Sequence, residues 1–276
     1  LVFYRFYVNW LKHGILPRDF NHAWLFLLPK GINPNDSQAC VSRHPGKTRP
    51  IAASNCDNKI CDLSLNHPLA EQAKIKVQVH QNGFICGRNI ITNIINVDTA
   101  MRIAASNELF RAVLFLFDFL AAFPSVQWPY MWALFEFMGM PSWVLKALQS
   151  LYHDVHMWLR FCGRTFDAGL ALAGTKQGGP SSGTIFAFLV EPFLVAVGSR
   201  ASPRSSVHAY ADDIALILYR YVDAVAKVAR TFALFAKISG LYLGYSKCVV
   251  VPLFPCDLAE ITQAIASAVP EWAPMV

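Results

Sequence analysis

From Val207 to Leu218 the chain runs through two apolar stretches joined by adjacent carboxylates, Asp212 and Asp213, and a stretch so built folds as a hairpin with its acids at the tip. Val207, Ala209 and Ala211 alternate with His208 and Tyr210, the period of a strand, and Ile214 to Leu218 is continuously apolar, the pattern of a buried strand. Aspartate is at home in tight turns, where it bonds its own backbone and tolerates left-handed conformations, so an ordinary turn has the same composition. A metal-holding turn needs a further carboxylate from elsewhere, because Mg²⁺ takes hard oxygen ligands and is held by one or two carboxylates plus substrate phosphates.

Asp118 is the candidate for that distant carboxylate. It is the single charge in the apolar run from Ala112 to Phe123. Aspartate is rarely buried without a partner or a metal, so an Asp at the end of a predicted core strand carries a functional signal; the alternative is a cap for the next helix. Between the two acidic sites, Gln177 to Thr184 is rich in glycine and serine and leads into the apolar segment Ile185 to Val197. Glycine lets a backbone approach a ligand, and Ser182 or Thr184 is placed to cap a helix whose N-terminus favours phosphate; a plain turn has the same look.

In this order the pieces resemble the reverse transcriptase of non-LTR, LINE-type retrotransposons. Asp118 with Ala122-Phe123 and Ser125-Val126 resembles motif A (D-F-x-x-A-F-D-S-V), Gln177 to Phe186 resembles motif B, and Tyr210-Ala211-Asp212-Asp213 is an intact motif C. Leu28-Pro29-Lys30 with Arg49-Pro50-Ile51 resembles the fingers segment, Gln81-Asn82-Gly83-Phe84 with Gly87-Arg88 a following segment, and Gly240-Leu241 with Ser246-Lys247 motif D. The resemblance covers roughly residues 1 to 255. It implies an α+β right-hand polymerase fold: fingers over 1–110, palm over 111–255, and 256–276 as the start of a thumb that is largely absent.

The resemblance also implies a chemistry: an RNA-directed DNA polymerase that extends a DNA primer with dNTPs on an RNA template. Asp118, Asp212 and Asp213 would hold two Mg²⁺ ions, with Mn²⁺ as a substitute, and Lys247 would protonate the pyrophosphate. Lys47, Arg49, Phe123, Gln177 and Gly178 would contact the nucleotide, Phe123 excluding a 2′-hydroxyl by bulk. Lys30, Arg88 and Tyr210 would contact nucleic acid. From the residues alone, Asp213 equally supports the turn, Phe123 reads more often as plain core, Lys247 reads equally as a surface lysine, and Arg88 as easily as a solvated or structural group. Motif B departs from Q-G-C-P-L-S-P at Gly179, Ser181 and Gly183, glycines expected to loosen the loop. In motif A, Leu120-Ala121 replace an acidic-basic pair and Pro124 an Asp. A catalytically silent or fragmentary relative that only binds nucleic acid is the alternative reading.

Charge and hydropathy bound these readings. Net charge is +6, and residues 1 to 60 carry eight Lys and Arg against three Asp, a basic end suited to a polyanion. The seven cysteines form no Cys-x-x-Cys pair or zinc spacing, which favours a reducing, intracellular compartment, nucleus or cytoplasm. Hydrophobic residues make up 54% of the chain, yet Asp118 and Glu191-Pro192 interrupt its longest apolar runs before the roughly 18 to 20 clean residues of a membrane span, so core strand and core helix are expected, with no membrane partner.

Periodicity predicts helices over Phe3–Lys12, Ala53–Ala73, Ile90–Ala105, Tyr130–Met138, Pro141–Tyr152 and Val222–Ser239, the last closed by Gly240. It predicts a strand over Trp24–Leu28, a loop over 31–48, and a hairpin of Met157–Phe161 with Phe166–Leu172 around Cys162-Gly163-Arg164. Oligomeric state is not legible.

Overall fold

The computed structural model describes residues 2–34, 36–37, 41–106, 108–161 and 163–276. Asn35 and residues 38–40 of the expected loop, and Cys162 of the expected hairpin turn, lie outside the described residues. In chain order the elements are α1 (Val2–His13), β1 (Ala23–Pro29), β2 (Thr48–Ser54), α2 (Cys56–Lys76), α3 (Ile90–Ala105), β3 (Val113–Phe117), α4 (Ala122–Ser125), α5 (Trp128–Phe137), α6 (Ser142–Tyr152), β4 (His156–Phe161), β5 (Arg164–Leu170), α7 (Ser182–Arg200), β6 (Ser206–Tyr210), β7 (Asp213–Leu218), α8 (Tyr221–Ser239), β8 (Val249–Pro252) and α9 (Leu258–Ala268). Two compact units form, residues 1–67 with 132–182 and residues 68–131 with 183–276. The segment boundaries expected at 110 and 255 both fall inside the second unit.

The first unit is built on a sheet of order β2-β1-β4-β5. β1 runs antiparallel to β2, from Ala23 opposite Ser54 to Pro29 opposite Thr48, and parallel to β4. β2 takes the place of the helix start expected at Ala53. Pro50 argues against a strand because it donates no ladder hydrogen bond, but β2 is an edge strand, where a proline is tolerated. The helix therefore begins only at Cys56, since Ala53 and Ser54 are still paired with Trp24 and Ala23. α1 packs on α6: Trp10 is fully buried and its indole donates to Ser150 Oγ at 2.8 Å. Below it, the Asn21 amide donates to the carbonyls of Ser150 and His153.

The second unit holds an antiparallel sheet of order β6-β7-β3-β8. β3 is central, and four of its five side chains are buried, drawn from both faces with Leu116 exposed, which explains a nearly unbroken apolar run where a half-exposed strand would alternate. On one face Leu114, Ala215 and Ile217 pack against Val97, Ala100 and Met101 of α3. On the other, the Phe117 ring lies 4.4 Å from Phe232 of α8 and 5.2 Å from Trp272. From Ile185 to Val190 every side chain of α7 is buried. Among the described residues α7 is the one helix long and apolar enough to cross a membrane by length and composition, and in this unit it is the core helix. α8 ends at Gly240, whose φ of +80° is the left-handed closure expected of it. β8 and α9 were not expected; α9 is capped by Asp257, whose carboxylate accepts from Ala259 N at 2.9 Å, and buries Ile261 and Ile265.

Candidate active site

Strand register gathers the carboxylates. Phe117, the last residue of β3, is opposite Ile214, so Asp118 leaves its strand beside the point where Asp213 enters β7. Asp213 is itself opposite Tyr210, with Ala211 and Asp212 as the hairpin tip. Burial and then the neighbouring charges of Asp212 and Asp118 push the Asp213 carboxyl up, against a smaller pull from Lys247. Among the described residues no three His, Cys, Asp or Glu side chains are already arranged as a metal cage. The donor set nonetheless fits a hard cation: the ligands are all carboxylate oxygens, and their mutual repulsion is relieved by positive charge.

Some of that positive charge is supplied by the chain. Lys247 Nζ donates to Asp118 Oδ2 at 2.7 Å, with the lysine side chain 63% exposed and the aspartate 27%. The segment around Lys247 is laced to the end of β3: Gly244 N donates to Asp118 O at 2.8 Å, Leu120 N to Tyr242 O at 2.8 Å, and the Cys248 sulfur accepts from Asp118 N at 3.4 Å. Lys247 thus sits against a metal-ligand candidate.

The hairpin tip is braced by a residue to which the sequence reading assigned no role. Gln81 is completely buried; its Oε1 accepts from Ala211 N at 2.8 Å and its Nε2 donates to Ala211 O at 3.0 Å. Ala211 has φ of +58°, an uncommon conformation for a residue with a Cβ, and Gln81 bonds both of its backbone polar groups. Asn82 N and Ala209 N extend the brace, donating to Ala209 O and His80 O at 2.8 and 2.7 Å. Sequence could have raised Gln81 only through the resemblance of its segment, since a glutamine before an asparagine and a glycine carries no mark of burial. Arg88 directs its guanidinium to the carbonyls of Val77, Gln78 and Gln81, holding the same segment closed.

Phe123 is half-buried and stacks on Phe186 with centroids 4.4 Å apart, while Phe84 meets it edge-on at 5.8 Å. Phe84 explains one departure in motif B. A Cβ on Gly183 would fall 2.3 Å from the Phe84 ring, so the glycine lets that ring lie on the first turn of α7. Tyr210 is half-buried at the end of β6.

The remaining candidates lie in the first unit. Lys30, Lys47 and Arg49 are exposed at one end of the β1–β2 pair, where Lys30 N donates to Lys47 O at 2.8 Å and Arg49 is opposite Leu28. Further along β2, Ala52 N donates to Gln177 O at 3.1 Å, and Gly178, with φ of +103°, lies against Ala52 O. The expectation of a loose loop is corrected: Ser181 Oγ donates to Asp62 Oδ1, Ser181 N to Asp62 Oδ2 at 3.2 Å, and Gly179 N to Lys176 O at 2.8 Å. The helix-cap expectation fails too. Ser182 turns its hydroxyl to Lys176 O, and Thr184 is buried inside the first turn.

The family described as reverse transcriptase (RNA-dependent DNA polymerase) matches residues 33–257. The transposon TX1 uncharacterized 149 kDa protein of Xenopus laevis is 25% identical over 254 residues, covering 89% of this chain and 19% of that protein. Among solved structures, apo telomerase from Candida tropicalis truncated from its C-terminal domain superposes with a TM-score of 0.60 at 12% identity, covering 86% of this chain and 51% of that one. Telomerase from Candida tropicalis in complex with a TWJ fragment of telomeric RNA superposes with a TM-score of 0.57 at 12% identity, covering 91% of this chain and 44% of that one. The chain therefore spans 19% of the curated relative's length and 51% and 44% of the two solved chains, and the likeness to the solved structures places it in the right-hand polymerase fold.

Proposed function

The chain belongs to the reverse transcriptase family, and on that premise we propose that it extends a DNA primer with dNTPs along an RNA template. The observation that carries the reading is the register that sets Asp118 beside the Asp212-Asp213 tip, where burial and then the charges of the other two carboxylates push Asp213 up. Asp118 and Asp212, with Asp213 assisting, would hold two Mg²⁺ ions, or Mn²⁺ in their place, which would supply Lewis acidity toward the primer 3′-hydroxyl and the pyrophosphate leaving group. The protein's own groups do the rest. Gln81 keeps the tip in its left-handed turn, so Asp212 is presented without a conformational search. Lys247 is charged, exposed and tethered by one bond, and it carries the proton for the leaving group. Phe123, fixed by Phe84 and Phe186, presents bulk against a ribose 2′-hydroxyl and so favours deoxynucleotides.

Lys30, Lys47, Arg49 and Tyr210 supply contacts to nucleic acid and triphosphate, and Gln177 with Gly178 those to the incoming nucleotide, as the resemblance implies. Such a reaction belongs inside the cell, where template, primer and dNTPs occur. The test is extension of a DNA primer annealed to RNA, with Mg²⁺ and dNTPs, by wild type and by Asp212→Asn. Extension by wild type that the variant loses supports the reading, and NTPs in place of dNTPs should serve poorly. A folded wild type that binds primed RNA but extends nothing with Mg²⁺ or Mn²⁺ overturns it in favour of a silent nucleic-acid-binding relative.

A further inference from the structure

We propose that Asp62, which lies outside every motif legible in the sequence, is a positioning residue for the loop that carries Gln177 and Gly178, acting through Ser181. The inference rests on reading that loop as the nucleotide contact.

Asp62 is 3% exposed on α2, and a buried carboxylate persists only where its charge is compensated. Burial pushes the Asp62 carboxyl up, and what opposes it comes from the loop itself: the Ser181 hydroxyl, the Ser181 amide, and attraction from the ammonium of Lys176. Lys176 is in turn placed over the Tyr152 ring at 5.6 Å and within 3.4 Å of Asn58 Oδ1, so it points into the same buried cluster.

The loop's residue types fit this one carboxylate. A Cβ on Gly179 would lie 2.9 Å from Asp62 Oδ2, so the larger residue that the resemblance expects there would strike it. A leucine at 181, also expected from the resemblance, would take away the hydroxyl donor. Gly179, Ser181 and Asp62 therefore form one set, and two of the departures in motif B are what admits an acid behind the loop. On its other side the loop is pinned by Ala52 N to Gln177 O. The Gln177 peptide is held from α2 by way of Ser181 and directly from β2, so its position depends on both.

The test uses the full chain with Asp62→Ala, Ser181→Ala, the double variant and Asp62→Asn. Amide exchange across 176–182 should quicken about tenfold in Asp62→Ala while exchange in β3 and β7 is unchanged. The KM for dNTP should rise about tenfold with kcat nearly unchanged, the loss of one charge-assisted contact. The double variant should be no worse than Asp62→Ala alone, because both remove one interaction. Asp62→Asn, which keeps an acceptor, should recover part of the KM. Unchanged KM in a folded Asp62→Ala, or additive effects in the double variant, overturns the proposal; if Asp62→Ala does not fold, Ser181→Ala decides by the same two readouts. A wild type that extends no primer defeats the polymerase reading instead, and exchange across 176–182 then decides by itself whether Asp62 holds the loop.

Discussion

Two sets of carboxylates in this chain face opposite demands. Asp62 is buried, which pushes its carboxyl up, and hydroxyl, amide and ammonium groups of its own unit pull against that rise. Asp118 and Asp213 are more open; Asp118 meets an exposed lysine, and the nearest charges that act on Asp213 include two further acids. The difference teaches where to look for chemistry. A carboxylate whose compensation is internal contributes to holding the structure, whereas crowded carboxylates left partly uncompensated by the protein create a standing demand for a cation from outside.

Four variants sharpen or break that contrast. Asp118→Asn should lower primer extension by about 10³-fold or more while leaving the melting temperature nearly unchanged, read by extension kinetics beside calorimetry. Asp62→Ala should act the other way, with the unfolding free energy of the first unit falling by about 1.4 kcal/mol in denaturant titration, the size of the tenfold loss of protection at 176–182, because Lys176 and the Ser181 amide lose their partner. Lys247→Met should slow turnover about 10²-fold and change stability by less than about 1 kcal/mol, since the pair with Asp118 is exposed.

The smallest effect is a pH dependence at Asp213. Its folded-state pKa is raised, so the stability it contributes is present in acid and is lost as pH rises through that folded value. With chelator present, Asp213→Asn should therefore melt above wild type at pH 7, by less than about 1 kcal/mol, and the gap should close as pH falls below about 3.9. Mg²⁺ should narrow or reverse the gap by stabilising wild type more than the variant, which keeps Asp118 and Asp212 but lacks the assisting carboxylate. A gap that persists in acid would show that charge crowding is not its cause.

Local signals carried most of the elements. α3 runs over the expected Ile90–Ala105, fixed at its start by Asn89, whose side chain accepts from Thr92 N. The β6–β7 hairpin and the left-handed Gly240 closure were equally legible, because alternation and a terminal glycine are local signals. β2 was hidden by Pro50, whose cost vanishes only at a sheet edge, and edge position is decided by the fold, in which β2 pairs with β1 on one side alone.

At the site, Asp118 and the Asp212-Asp213 tip were visible because a charge in an apolar run is conspicuous. Gln81 and Asp62 were not. In the sequence each is one polar residue among others, and its role exists only through a loop more than a hundred positions away. The same separation explains the misreading of motif B: Gly179 and Gly183 look like added freedom until Asp62 and Phe84 are seen filling the space a side chain would take.

The central position of β3 has a consequence for synthesis. Val113–Phe117 leaves the ribosome before either of its neighbours, since β7 begins at Asp213 and β8 at Val249. At about 5–20 residues per second, this strongly apolar strand waits on the order of ten seconds with both edges unpaired. Over that interval the most hydrophobic strand of the second unit is a nascent-chain hazard that a chaperone, or helix α3 folding first against it, has to cover.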